Sequence, residues 1–118
     1  MPIRYSMSYE IKSLPTFERQ AKRLAKKYPS LKTDLRTLFD SLQADPTQGV
    51  AIGKGCYKLR MAIASKKQGK SGGARVITFV RITQNAVYLL ALYDKSEKET
   101  LADGELESYL ELIDESAE

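Results

Sequence analysis

Two runs of β-branched and aromatic residues, Ala74 to Ile82 and Val87 to Tyr93, stand close together with Gln84-Asn85 between them. Branched and ring side chains pack well on a pleated surface, so each run favours extended backbone. A polar turn between two such runs predicts an antiparallel hairpin. The segment before it adds a third strand. From Cys56 to Ala64, Tyr57, Leu59, Met61 and Ile63 alternate with Cys56, Lys58, Arg60 and Ala62. One face is therefore apolar, and the other carries two cations roughly 7 Å apart along the strand. Ser65 to Gly73, between the strands, is a polar loop rich in lysine and glycine. Gly72-Gly73 offers backbone N–H groups for close approach to a phosphate. The result is a three-stranded antiparallel meander.

The N-terminal part supplies what covers this sheet. Ile3, Tyr5, Met7, Tyr9 and Ile11 alternate with polar residues and predict a strand over Ile3 to Ile11. Ser13-Leu14-Pro15 starts a helix with proline in the first turn, where a missing N–H costs nothing. Phe17, Ala21, Leu24, Ala25 and Tyr28 then recur at helical spacing. Tyr28-Pro29-Ser30 ends that helix, and Ser30 is placed to cap a second one bearing Leu31, Leu35, Leu38, Phe39 and Leu42. Matched apolar stripes and a short connection predict a helical hairpin. Asp45-Pro46-Thr47-Gln48-Gly49 stops the second helix, and Gly53 and Gly55 lead into the meander. A terminal acidic helix is expected over Thr100 to Ile113, weakened in its first turn by Gly104. The order is an N-terminal strand, a helical hairpin, three strands and a C-terminal acidic helix, which makes an α+β domain spanning residues 1–118.

Charge is sharply segregated along this framework. No acidic residue lies between Asp45 and Asp94, while Lys54, Lys58, Arg60, Lys66, Lys67, Lys70, Arg75 and Arg81 all do. Like charges repel, so a cationic hairpin of this kind points to a polyanionic partner such as nucleic acid. From Asp94 onward the sign reverses, with only Lys95 and Lys98 among many carboxylates. The absence of histidine, with a single cysteine, removes imidazole acid–base catalysis and the usual zinc sites. No cofactor is expected. Cys56 reads as a small core residue. The chain has no apolar run of membrane-spanning length, and MPIRYSMSYE lacks the core of a signal peptide. A cytoplasmic location with no membrane partner is the expectation.

FERQAKRLAKKYPS at the start of the helical pair, GCYKLR in the first meander strand, GKSGGARVI leading into the next, and YDKSEKETL after the last occur in an order and spacing that resembles the RelE/ParE superfamily of type II toxins, in its HigB-like branch. The resemblance implies a RelE-like fold and a small ribonuclease that cuts mRNA, commonly on the 70S ribosome, and is neutralised by a cognate antitoxin. Position by position, it places Lys58 and Arg60 where RNA-cleaving members keep basic strand residues. It also puts Arg75 near the scissile phosphate and Lys95 at a basic position after the last strand. RelE proteins use a tyrosine further towards the C-terminus; Leu101 stands near that position here, and Tyr93 is the nearest candidate to replace it.

The chemistry can be stated without the family. RNA carries its own nucleophile, the 2′-hydroxyl. A metal-independent endoribonuclease then needs a proton acceptor, cations to stabilise the phosphorane and a donor for the leaving 5′-oxygen. Arginine does not deprotonate, so Arg60 and Arg75 are cast as clamps on the phosphate. Lys58 or Tyr93 transfers protons, with acid and base roles exchangeable, and Lys95 and Lys70 hold flanking backbone. Lys54, Lys66, Lys67 and Arg81 complete the expected RNA-binding surface. On this reading Arg75→Ala abolishes toxicity while leaving the fold intact. Two alternatives remain open at this point: a ParE-like inhibitor of DNA gyrase, and a non-catalytic module that binds nucleic acid or antitoxin.

Overall fold

A computed structural model describes residues 8–67 and 69–116, with side chains as far as residue 113. The elements run β1 (Glu10–Ser13), α1 (Pro15–Lys27), α2 (Leu31–Ala44), β2 (Val50–Gly53), β3 (Cys56–Met61), β4 (Ala74–Arg81), β5 (Ala86–Asp94) and α3 (Glu105–Ser116). Five strands form one sheet in the order β1-β5-β4-β3-β2. β1 pairs in parallel with β5, and every other pairing is antiparallel. The α+β reading and the three-stranded meander are borne out.

Three expectations change in detail, and a fourth falls largely outside the described residues. Ile3, Tyr5 and Met7 lie outside the described residues, and the first described strand is the short β1. The stretch before the meander contains an additional edge strand, β2. It turns into β3 through Lys54 and Gly55, both with positive φ. Ser30 precedes α2 without capping it: its hydroxyl donates to Asp34 Oδ2 at 2.7 Å and also accepts from the Ser65 N–H at 2.9 Å. The terminal helix begins at Glu105, after Gly104 at φ 81°, so Leu101 lies outside it.

The helical hairpin packs on one face of the sheet. Phe17, Leu24, Leu31, Leu35, Leu38 and Leu42 meet Leu59, Met61, Ile63, Val76, Leu89 and Leu92, all buried. α3 covers part of the other face, where Tyr109 and Ile113 join Cys56, Ile77, Tyr88, Leu90, Ala91 and Tyr93. Burial pushes the Cys56 thiol up to about 11, against a smaller opposite pull from Lys54, which fits a core residue rather than a reactive one. β5 carries a bulge: Ile77 pairs with Ala91 and Thr78 with Leu89, leaving Leu90 as an extra residue. Beyond the bulge, Tyr93 lies on the α3 face with Ala91, whereas Leu92 packs under the hairpin. Asp94, beside Leu92's face, is directed to Tyr28 of the hairpin.

Candidate active site

The strand register assembles the cations that the sequence singled out. Arg60 pairs with Arg75, and Arg75 with Tyr93, so the three form one rung across β3, β4 and β5. Directly paired residues share a face. Lys58, two residues before Arg60, stands on that face one rung away, opposite Ile77. A cleft of about 660 Å³ opens over this point, lined by Lys58, Arg60, Lys70, Arg75 and Glu99 with Val50 and Ile52 of β2. A second hollow of about 280 Å³ shares Gln48, Leu59, Arg60 and Lys70 with it and continues towards α2.

Arg75 is held rather than displayed. Only 2% of it is exposed. Its Nη1 donates to the carbonyls of Lys70 and Ala74, each at 3.2 Å, and Nη2 to that of Ser71 at 3.1 Å. Nε is buried without a hydrogen bond, 3.6 Å from Glu99 Oε2. A buried donor lacking an acceptor is costly to leave unsatisfied, and the Glu99 carboxylate partly offsets that cost at this edge of the guanidinium. The same bonds fix the loop before β4. Arg75→Ala therefore removes a structural anchor as well as a charge, which corrects the expectation that the fold would not feel it.

Glu99, in the connection between β5 and α3, closes the site. Its carbonyl accepts from Lys58 Nζ at 2.8 Å and from the Tyr93 hydroxyl at 3.3 Å. Tyr93 is 4% exposed. Burial, reinforced by Glu99 and only partly opposed by Arg75, pushes its phenol up to about 12. A phenol held protonated in this way is poorly suited to accept a proton at neutral pH. Lys98 Nζ sits 5.2 Å from the centre of its ring, a cation–π contact.

The remaining cations separate into distinct places. Arg60 is exposed and makes no hydrogen bond or ion pair among the described residues, which leaves its charge available at the cleft. Lys70 and Lys67 are exposed on the loop. The exposed Lys95 follows β5, and its N–H donates to the Gly73 carbonyl at 3.0 Å. Lys66 is turned inward: its Nζ meets Asp94 Oδ1 at 2.9 Å, and only 9% of its side chain is exposed. Lys54 pairs with Glu107 of α3 at 3.6 Å. Arg81 stacks its guanidinium 5.3 Å from the Phe79 ring at the other end of β4, about 20 Å of strand from Arg75. The register thus gathers Lys58, Arg60, Arg75 and Tyr93 and sets Lys54 and Arg81 apart. Gly73 does not form a phosphate cradle either. Its N–H faces the Lys70 carbonyl at 3.4 Å, and a Cβ there would overlap the Met61 carbonyl oxygen.

Two carboxylates went unnoticed in the sequence because both merge into the acidic C-terminal stretch. One is Glu99. The other is Asp94, fully buried, which accepts from the Tyr28 hydroxyl at 2.5 Å, Lys66 Nζ at 2.9 Å and the Ser96 N–H and hydroxyl at 3.0 and 2.8 Å. It ties the helical hairpin, the basic loop and the end of β5 together behind the rung.

Comparisons with known proteins bear on the fold and the family. A double mutant of the Escherichia coli RelE toxin in the free state superposes with a TM-score of 0.58 at 15% identity, covering 91% of this chain and 99% of that one. The chain from the RelBE2 toxin–antitoxin complex of Mycobacterium tuberculosis gives 0.55 at 15% identity, covering 75% and 92%. At such identities these likenesses establish the fold. No curated protein sequence matches the chain. The family model described as the RelE toxin of the RelE/RelB toxin–antitoxin system, however, matches residues 16–117, nearly the whole chain, and the chain belongs to that family of toxins.

Proposed function

We propose that this toxin is a metal-independent endoribonuclease that cleaves mRNA, in association with the 70S ribosome, by attack of the 2′-hydroxyl on the adjacent phosphate. The observation that carries this reading is the rung of Arg60 and Arg75 beside Lys58 in one cleft, with the buried Nε of Arg75 lacking a hydrogen-bond acceptor. A guanidinium fixed by three backbone carbonyls needs no reorganisation as charge builds on a phosphorane, which is where preorganised donors are worth most. Arg60 supplies the second positive charge. Lys58 Nζ already acts as a donor, to the Glu99 carbonyl, and that suits it to protonate the leaving 5′-oxygen. Lys70, at the junction of the two hollows, and Lys95 steady the flanking backbone. The two joined hollows also suit a polymer that continues beyond the reacting phosphate.

In this reading Tyr93 supports the site by holding the Glu99 carbonyl and is not the base. Lys66 belongs to the buried network, while Lys67 is left as a loop contact to RNA. The protein partner is a RelB-type antitoxin that covers the cationic cleft, as charge complementarity favours.

The test is a pulse of expression in a bacterial host lacking an antitoxin, following methionine and thymidine incorporation and mapping mRNA 5′ ends. The expected result is an early fall in methionine incorporation with new cuts inside translated reading frames. Early loss of thymidine incorporation with intact messengers would overturn the ribonuclease reading in favour of gyrase inhibition.

A further inference from the structure

The proposed reaction has a clamp and an acid but still needs a group to take the 2′-hydroxyl proton. We infer that the Glu99 carboxylate is that group, a further catalytic residue whose place is set by Arg75 Nε at 3.6 Å and by the walls of the cationic cleft. This assignment rests on the ribonuclease reading and supplies its missing part.

The argument is one of position. Among the residues lining the cleft, Glu99 is the anionic one; the other charged members are Lys58, Arg60, Lys70 and Arg75. About half of its side chain is exposed, 51%, so the carboxylate is open to substrate, whereas the Tyr93 phenol is enclosed. A phosphate drawn into the cleft by the exposed Arg60 and Lys70 and by the charge of the buried Arg75 lies within the same walls as Glu99. The 2′-oxygen of the same linkage must come within about 3–3.5 Å of phosphorus to react, which brings its proton within reach of an acceptor there. Repulsion between carboxylate and phosphate is offset by the cations around them. The backbone is fixed as well, since the Glu99 carbonyl is held by Lys58 and Tyr93. Substituting the side chain leaves that carbonyl in place.

The step balances. The 2′-oxygen loses its proton to Glu99 and bonds to phosphorus, the bond from phosphorus to the 5′-oxygen breaks, and that oxygen takes a proton from Lys58. The products are a 2′,3′-cyclic phosphate and a 5′-hydroxyl. Solvent then returns the proton from Glu99 to Lys58.

The groups facing Glu99 are Arg75 from β4, Lys58 and Arg60 from β3, Lys70 from the loop and Tyr93 from β5, with Lys98 and Glu105 close to that tyrosine. The experiment is single-turnover cleavage of messenger on programmed ribosomes by the wild-type chain, Glu99→Gln and Glu99→Asp at pH 7. Circular dichroism and thermal melting are run on each protein. General-base catalysis contributes about 10²–10⁴-fold, so Glu99→Gln should lose at least about a hundredfold. Glu99→Asp, which keeps a carboxylate, should recover part of the rate. A folded Glu99→Gln that cuts as fast as wild type, or faster, overturns the assignment, the faster result making Glu99 a cover over Arg75. A wild-type chain that leaves messenger intact overturns the ribonuclease reading, and this role with it.

Discussion

Asp94→Asn is the substitution whose consequences follow most directly from the structure. The carboxylate has no exposed surface and receives hydrogen bonds from Tyr28, Lys66 and Ser96, with Lys27 Nζ at 4.0 Å. Burial alone would raise its pKa, but the bonds from Tyr28, Lys66 and Ser96 outweigh that and hold it well below the usual carboxylate range. The amide keeps the shape and removes the charge, leaving the nearly buried Lys66 ammonium without its counter-ion. Breaking a buried pair from one side costs about 3–5 kcal/mol. With an unfolding entropy of about 0.25 kcal/mol per kelvin for a chain of this length, a loss of 3 kcal/mol lowers Tm by about 12 °C. The pH dependence has a definite sign. A depressed carboxylate contributes stability that is fully present above its unfolded value, about 3.9, and lost as pH falls below it towards the folded value. Wild-type stability should therefore fall more steeply than that of Asp94→Asn below about pH 4. Thermal melts at pH 7 and through the acid range check both points. A melting temperature within about 2 °C of wild type, or an unchanged acid slope, would refute the reasoning.

Further outcomes follow from the same geometry. Tyr93→Phe loses one neutral hydrogen bond of about 1 kcal/mol, so cleavage should stay within about fivefold of wild type; abolished cleavage by a folded variant would restore the tyrosine as a proton-transfer group. Lys67→Ala should leave stability within about 0.5 kcal/mol and lower the salt slope of RNA binding by about one. Lys66→Met should instead destabilise the fold by about 3 kcal/mol, a contrast that denaturant titration resolves. Gly73→Ala places a Cβ against the Met61 carbonyl and the Ile63 nitrogen, both backbone atoms. It should cost more than about 3 kcal/mol, while Gly104→Ala, strained by φ yet open in space, should cost about 1 kcal/mol.

The sequence was most informative where one period persisted. The alternation of Tyr57, Leu59 and Met61 against Lys58 and Arg60 predicted which side chains share a face, and the heptad-like leucines of α2 predicted its buried stripe. β2 was hidden because Val50-Ala51-Ile52-Gly53 is short, alternates poorly and ends at a positive-φ glycine, so only its pairing with β3 reveals it. Ser30 had the right chemistry for a cap, but Asp34 and Ser65 lay closer to its hydroxyl. Within the site, Arg60 and Arg75 were recognisable as cations, but their pairing depends on strand register. Local sequence does not encode the long-range contacts of Glu99 and Asp94, which is why both looked like ordinary members of an acidic tail.

The bulge at Leu90 has a consequence for how this site tolerates change in length. Side chains on a strand alternate between two sides, so one inserted residue inverts the assignment of everything after it. Leu90 is an extra residue of this kind, but Leu90 and Ala91 both face α3, so the bulge absorbs it just before Tyr93 and Asp94. If Leu90 were deleted and the strand closed into regular pairing, Leu89 and Ala91 would alternate opposite Thr78 and Ile77, and Tyr93 would stay opposite Arg75. Asp94 would likewise stay opposite Ala74, turned towards Tyr28 and Lys66. The strand thus tolerates losing its bulged residue, whereas one more residue inserted after Ala91 in regular pairing would exchange the faces of Tyr93 and Asp94.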